Sequence, residues 1–242
     1  MSEPRFGRAP EAPKRFYKDV SSEAADKGFV LTLDGKSART PARAPLAAPT
    51  KALGEAVAAE WAGQGERIDR LAMPLTRLLT TAVDRGEPDG AAWRDLVLSF
   101  LASDLLCYRA EGPEELIDRQ NAAWTPYLEA FESRYGARLA LAAGIVAVEQ
   151  PEATLTAVGA RLQGLDVGSL VAAKAATEIT GSAVLGLAAT LDGADAEETF
   201  AASRVDEAFQ AEKWGIDGEA AAREAALKLD FVAACRFANL AR

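Results

Sequence analysis

The spacing of apolar positions changes once along the chain, near residue 50. Before it, GFVLTLDGKSARTP sets Phe29, Leu31 and Leu33 against Val30 and Thr32, the alternation of a half-buried strand. The LDGKSA segment supplies a hairpin turn in which Asp34 and Gly35 can take positive φ. Upstream, RFYKDV reads as a second strand, and together these predict a small antiparallel sheet. Pro41, Pro45 and Pro49 then punctuate an extended segment, and Thr50 is placed to cap a helix starting at Lys51.

From Lys51 onward apolar residues recur at three and four, the helical period. TKALGEAVAAEWAGQ, LTRLLTTAVDRG, AAWRDLVLSFLASD and PEELIDRQNAAWTPYLEAFESRYG each read as one helix, and four further segments run from EATLTAVGARLQG to the C-terminus. Strands followed by helices, without βαβ alternation, predict an α+β protein. Its parts are an N-terminal α+β domain over residues 1–110, with residues 1–14 as a flexible arm, and an all-α helical bundle over 111–242. The boundary is set at the Gly-Pro break in RAEGPEE.

Composition narrows the function. Apolar residues make up 49% and charged residues 26% of 242, as in a folded globular chain. A net charge of −9 and a pI of about 4.8 work against binding nucleic acid or anionic lipid. There is no histidine, which removes imidazole bases and the commonest zinc ligand. Cys107 and Cys235 stand apart in apolar surroundings and read as buried free thiols of a reducing compartment. No run of 18 apolar residues occurs, so no membrane insertion is expected, and the N-terminal residues lack the apolar core of a signal peptide. A cytoplasmic location follows.

The common nucleotide motifs fail. DGKS, at Asp34 to Ser37, resembles the end of a phosphate loop, but the glycine required upstream is replaced by Val30 inside a strand. No GxGxxG follows a strand, and the GxSxG elbow is absent. No nucleotide, metal or other cofactor is expected.

One stretch, ASRVDEAFQAEKWGID at 202–217, stands out. At about 100° per residue on a single helix, Ala201, Val205, Ala208, Phe209, Glu212 and Ile216 share an apolar stripe. Ser203, Glu207, Gln210 and Trp214 lie opposite. A tryptophan there is either covered by a second layer of helices or faces a partner. Glu212, inside the stripe, reads as a core-edge carboxylate paired with a base such as Arg223 or Arg236.

An ordered series of motifs carries a resemblance. RFYKDV and the Arg39-Thr40-Pro41 turn are followed by Glu60-Trp61-x-x-Gln64 and Met73-Pro74-x-Thr76-Arg77. Asp104-x-x-Cys107-Tyr108-Arg109 comes next, then Arg119-Gln120-x-x-x-Trp124, TGSAVLGLA and SRVDEAFQAEKWGID. In these the chain resembles the assembly chaperones of the F1-ATPase alpha subunit, called ATP synthase F1 complex assembly factor 2 in mitochondria and found also in alphaproteobacteria. It departs from that pattern in Thr80-Thr81-Ala82, where Asn-Thr-Ala is expected, at Ser103, where Thr is expected, and at Thr125, where Asp is expected.

The resemblance implies a protein that is not an enzyme. Such a chaperone binds the free F1-ATPase alpha subunit and assists assembly of the F1 sector without hydrolysing ATP. It would work in the bacterial cytoplasm, and its eukaryotic relatives in the mitochondrial matrix. The resemblance also implies a partner-binding role for Glu207, with Asp206 next, and helical spacing adds Gln210 and Trp214. Trp61, Asp104, Arg109 and Arg77 are expected to be structural, the last three with Arg119 in buried ion pairs joining the two halves of the chain. The residues alone leave two other classes open: a small-molecule enzyme using helix-borne carboxylates, and a scaffold for another oligomeric complex.

Overall fold

The computed structural model describes residues 12–144 and 146–242; of the expected arm, residues 1–11 lie outside them. The sheet has β1 (Val20–Ala25), β2 (Gly28–Leu33), β3 (Lys36–Ser37) and β4 (Ala47–Ala48). All pairings are antiparallel, with β2 central: β1 lies on one edge, while β3 and β4 share the other. Asp34 (φ 49°) and Gly35 (φ 71°) make the expected tight turn, which accounts for DGKS.

The first strand is not RFYKDV. That segment is extended but lies against the chain near residue 66, where the Arg15 amide donates to the Glu66 carbonyl, and pairing with β2 begins only at Val20. Tyr17 draws it aside: its ring is buried and its hydroxyl donates to the Trp61 carbonyl at 2.8 Å.

Helix α1 (Lys51–Ala62) starts where Thr50 caps it, accepting from the Leu53 amide. Next come α2 (Pro74–Ala102), a 3-10 turn at Leu105–Cys107, β5 (Tyr108–Arg109) and α3 (Glu114–Tyr135). The two helices expected between residues 74 and 103 are one, running through Pro88. An interior proline removes a hydrogen bond and crowds the preceding turn, but α2 packs along α5 (Val167–Thr180), and tertiary burial outweighs the local penalty.

The four segments expected after residue 150 are six helices: α4 (Glu152–Gln163), α5, α6 (Ala183–Leu191), α7 (Ala196–Ala202), α8 (Val205–Trp214) and α9 (Gly218–Leu240). The all-α half also contains β6 (Ala142–Ala143), which pairs in parallel with β5. Helices α5 and α6 sit so close that a Cβ on Gly186 would meet the Thr177 backbone nitrogen at 2.8 Å.

Among the described residues, two large apolar clusters and one small one hold the fold. The first joins Leu31, Leu53, Val57, Leu79 and Trp93 to Leu170, Val171 and Phe237, so residues from both sides of position 110 share it. The second gathers Val97, Leu101, Trp124, Phe131, Val184 and Leu185. Helix α2, about 43 Å long at 1.5 Å per residue, contributes to both. Cys235 packs with Phe200 and Phe231 in the third.

Candidate functional site

Several motif residues are explained by local structure. Met73 offers α2 no side-chain cap; instead Glu60 reaches across from α1 and accepts from the Leu75 and Thr76 amides, both at 2.8 Å, and the Thr76 hydroxyl at 2.7 Å. A carboxylate at that end also meets the positive pole of the helix. Trp61 packs half-buried against the first cluster and Tyr17, with ring centroids 5.6 Å apart. Gln64 holds the following loop by accepting from the Asp69 amide.

The expected set of buried ion pairs does not form. Asp104 is fully buried and takes part in no ion pair among the described residues. Its carboxylate accepts from the Ser182 hydroxyl (2.7 Å) and from the Leu106 and Val184 amides (both 3.1 Å), tying the end of α2 to the start of α6. Burial raises its pKa to about 6 against the hydrogen bonds that favour the charge. Arg109 donates to the Gln120 carbonyl at 2.8 Å and lies 5.0 Å over the Trp124 ring, and burial lowers its pKa. Arg77 pairs with Asp230 of α9 at 2.5 Å, a link across the two halves that is partly open to solvent.

The 202–217 stretch is not one helix. The Ser203 amide donates to the Phe200 and Thr199 carbonyls and its hydroxyl to Phe200, which tightens the last turn of α7 and ends it before α8 begins. The predicted stripe therefore breaks: Phe209 is the buried residue of α8, whereas Ala201, Ala208 and Ile216 are exposed. Glu212 pairs at 2.8 Å with Arg119 of α3, and neither Arg223 nor Arg236 is its partner. Sequence spacing could not find that pair, because its members are 93 residues apart.

Helix α3 fastens α7 and α8 by a ladder of contacts running antiparallel to them. Trp124 Nε1 donates to the Ala202 carbonyl at 2.7 Å, Tyr127 Oη lies 3.1 Å from Thr199 Oγ1, and Gln120 Nε2 donates to Asp206 at 2.7 Å. Further along, Arg119 holds Glu212 and Glu115, and Lys213 holds Glu115 at 3.0 Å. Lys213 first and then Arg119 keep the Glu115 carboxyl below its usual range. Both cations also cover the Phe209 ring, at 4.9 and 5.3 Å.

The other side of α8 is open. Trp214 is 79% exposed, and Glu207 and Gln210 are exposed with it. Asp206 differs, since it is half-buried and faces Gln120. Glu207 pairs at 3.1 Å with Arg204, which is itself held by the Ile179 carbonyl and the Ser203 hydroxyl. Asp206 and Glu207 occupy the first turn of a helix whose first position has no side-chain cap, so both charges stabilise its start. The helix thus presents an indole, an amide and an oriented carboxylate on a rigid support.

Glu207 and Glu212 are both exposed. Among the described residues no group of three His, Cys, Asp or Glu could hold a metal ion. No helix among them is long and apolar enough to cross a membrane. Cys107 and Cys235 are buried and unpaired, their thiols pushed up to about 12 by burial.

Comparison with known proteins bears on the whole arrangement. The family described as ATP12 chaperone protein matches residues 14–132. The fold superposes on Atp12 from Paracoccus denitrificans with a TM-score of 0.89 and 36% identity, covering 95% of this chain and 99% of that one. A protein from Agrobacterium tumefaciens described as a candidate chaperone aligns with a TM-score of 0.90 and 39% identity, over 95% of this chain and 87% of its own. The mitochondrial protein atp12 of Schizosaccharomyces pombe is 24% identical over 221 residues, 84% of this chain and 74% of that protein.

Proposed function

From the premise that this chain belongs to the ATP12 chaperone family, we propose that it binds the free F1-ATPase alpha subunit and holds it until the F1 sector assembles, in the cytoplasm and without nucleotide. The physical need is direct. A subunit of an obligate ring, separated from its neighbours, exposes large apolar interfaces that aggregate unless covered.

The observation that carries this reading is the open face of α8. An exposed tryptophan flanked by Gln210 and Glu207, on a helix fastened from behind by α3, has the composition of an interface anchor with a polar surround. Asp206 acts from the rear, positioning the helix through Gln120. The enzyme alternative needs a pocket around these carboxylates, and their exposure argues against it.

The test is capture of purified alpha and beta subunits by the tagged chain. Capture of alpha is the expected result; capture of beta alone would reassign the client, and capture of neither would end the proposal.

A further inference from the structure

A groove of about 1160 Å³ opens between α3 on one side and α6 with α7 on the other, and it reaches Val205, the first residue of α8. Alanine is the commonest residue of its walls, including Ala122 and Ala130 of α3, Ala188 of α6 and Ala201 of α7. Small side chains there let another backbone approach closely. Its volume exceeds the roughly 300–1,000 Å³ typical of small-molecule pockets, and its carboxylates sit on an exposed rim rather than converging inside.

The rim is acidic. Asp192 is neutralised by Arg134 at 3.0 Å, but Asp195 and Glu198 take part in no ion pair among the described residues. Their charge reaches inward: burial raises the pKa of Tyr127 in the wall, and Glu198 and Asp195 raise it further.

We infer that this groove receives a helix of the client whose apolar stripe faces the alanine walls and whose flank carries lysine or arginine opposite Asp195 and Glu198. An extended segment does not fit, because the walls are helices with satisfied backbones and no strand edge lines the groove. A helix arrives with its own hydrogen bonds made. The groove continues into the start of α8, so one client could occupy both surfaces. The inference rests on the proposed function for the client's identity.

The test places a photo-cross-linking amino acid at Ala130 or Ala201, both exposed, in the full chain mixed with purified alpha subunit. Ala130→Trp and Glu198→Lys are measured alongside, with the exposed Ala52→Trp on α1, a helix that does not line the groove, as the control. Cross-links into a helix flanked by lysine or arginine, with at least tenfold weaker binding for the two groove variants and none lost for the control, are expected. If alpha is captured normally but neither groove position cross-links and Ala130→Trp binds as well as the parent, the groove is not the docking site although the client is right. Cross-linking to an acidic or extended segment also overturns the inference. Failure to capture alpha at all overturns the proposed function, and the inference with it.

Discussion

Among the polar joints between helices in this protein, two are built on opposite principles. At Asp104 a single carboxylate is sealed between α2 and α6 with only neutral donors around it. Between α3 and α8 the ion pairs are spread over Glu115, Arg119, Glu212 and Lys213, all partly open to water. The sealed joint is single and depends on complete satisfaction, because each buried donor left without an acceptor costs about 1–3 kcal/mol. The open ladder is redundant, and exposed ion pairs contribute about 0–1 kcal/mol each. One sets the arrangement of the core; the other fixes the attitude of a surface helix.

Breaking the sealed joint should have the largest effect. Asp104→Ala strands the Ser182 hydroxyl and the Leu106 and Val184 amides. A loss of about 3 kcal/mol is expected in urea unfolding, since removing the charge relieves part of the desolvation. A loss below about 1 kcal/mol would mean that water replaces the carboxylate, and the joint would then resemble the open one.

The sealed joint should also be sensitive to pH. The folded-state pKa of Asp104 is raised to about 6 from an ordinary 3.8. Between those values the folded chain binds a proton that the unfolded chain does not, so this group's contribution falls as pH rises through the window. The full difference is about 3 kcal/mol at 1.36 kcal/mol per unit. Only about 1 kcal/mol of it lies between pH 5.5 and 7.5, a range above the pI of about 4.8. Asp104→Asn cannot ionise, so its deficit relative to the parent should be larger at pH 5.5 than at 7.5 by that amount. An equal deficit at both would remove the titration from Asp104.

These contrasts parallel what could be read in advance. The Asp34-Gly35 turn and the Thr50 cap follow from rules confined to a few residues, and both stand as the sequence implied. The single helix through Pro88 and the break at Ser203 were not legible, because packing on α5 and a tightened turn override the local pattern. Glu60 was visible as a motif residue but its task was not, since the amides it caps lie 15 and 16 positions away. The exposure of Trp214 was anticipated only as one of two options, because spacing says which residues share a face but not what covers it.

Within the ladder, Arg119→Ala removes the link to Glu212 and one of the two cations on Phe209. Global stability should fall by less than about 1 kcal/mol. Local opening of α8 should rise, read as faster amide hydrogen exchange over Val205–Trp214 than in α6, with the difference shrinking at high salt, where the parent ladder is screened as well. Equal exchange in parent and variant would assign the hold on α8 to Gln120 and to the Lys213–Glu115 pair.

A comparably small effect on stability, and the sharpest on binding, is expected from Glu207→Lys. The change breaks one exposed pair with Arg204 and puts a cation at the start of α8, together about 1 kcal/mol. The ladder lies on the opposite side and should keep the helix in place, so circular dichroism and the urea midpoint should move little. If Glu207 meets the client, capture of alpha should weaken at least tenfold while the fold persists. Should the variant instead unfold, the first-turn charge would be structural, and the open face would be left with Trp214 as its anchor; Trp214→Ala, which removes a side chain 79% exposed, then separates contact from stability, because it should reduce capture with no shift in unfolding.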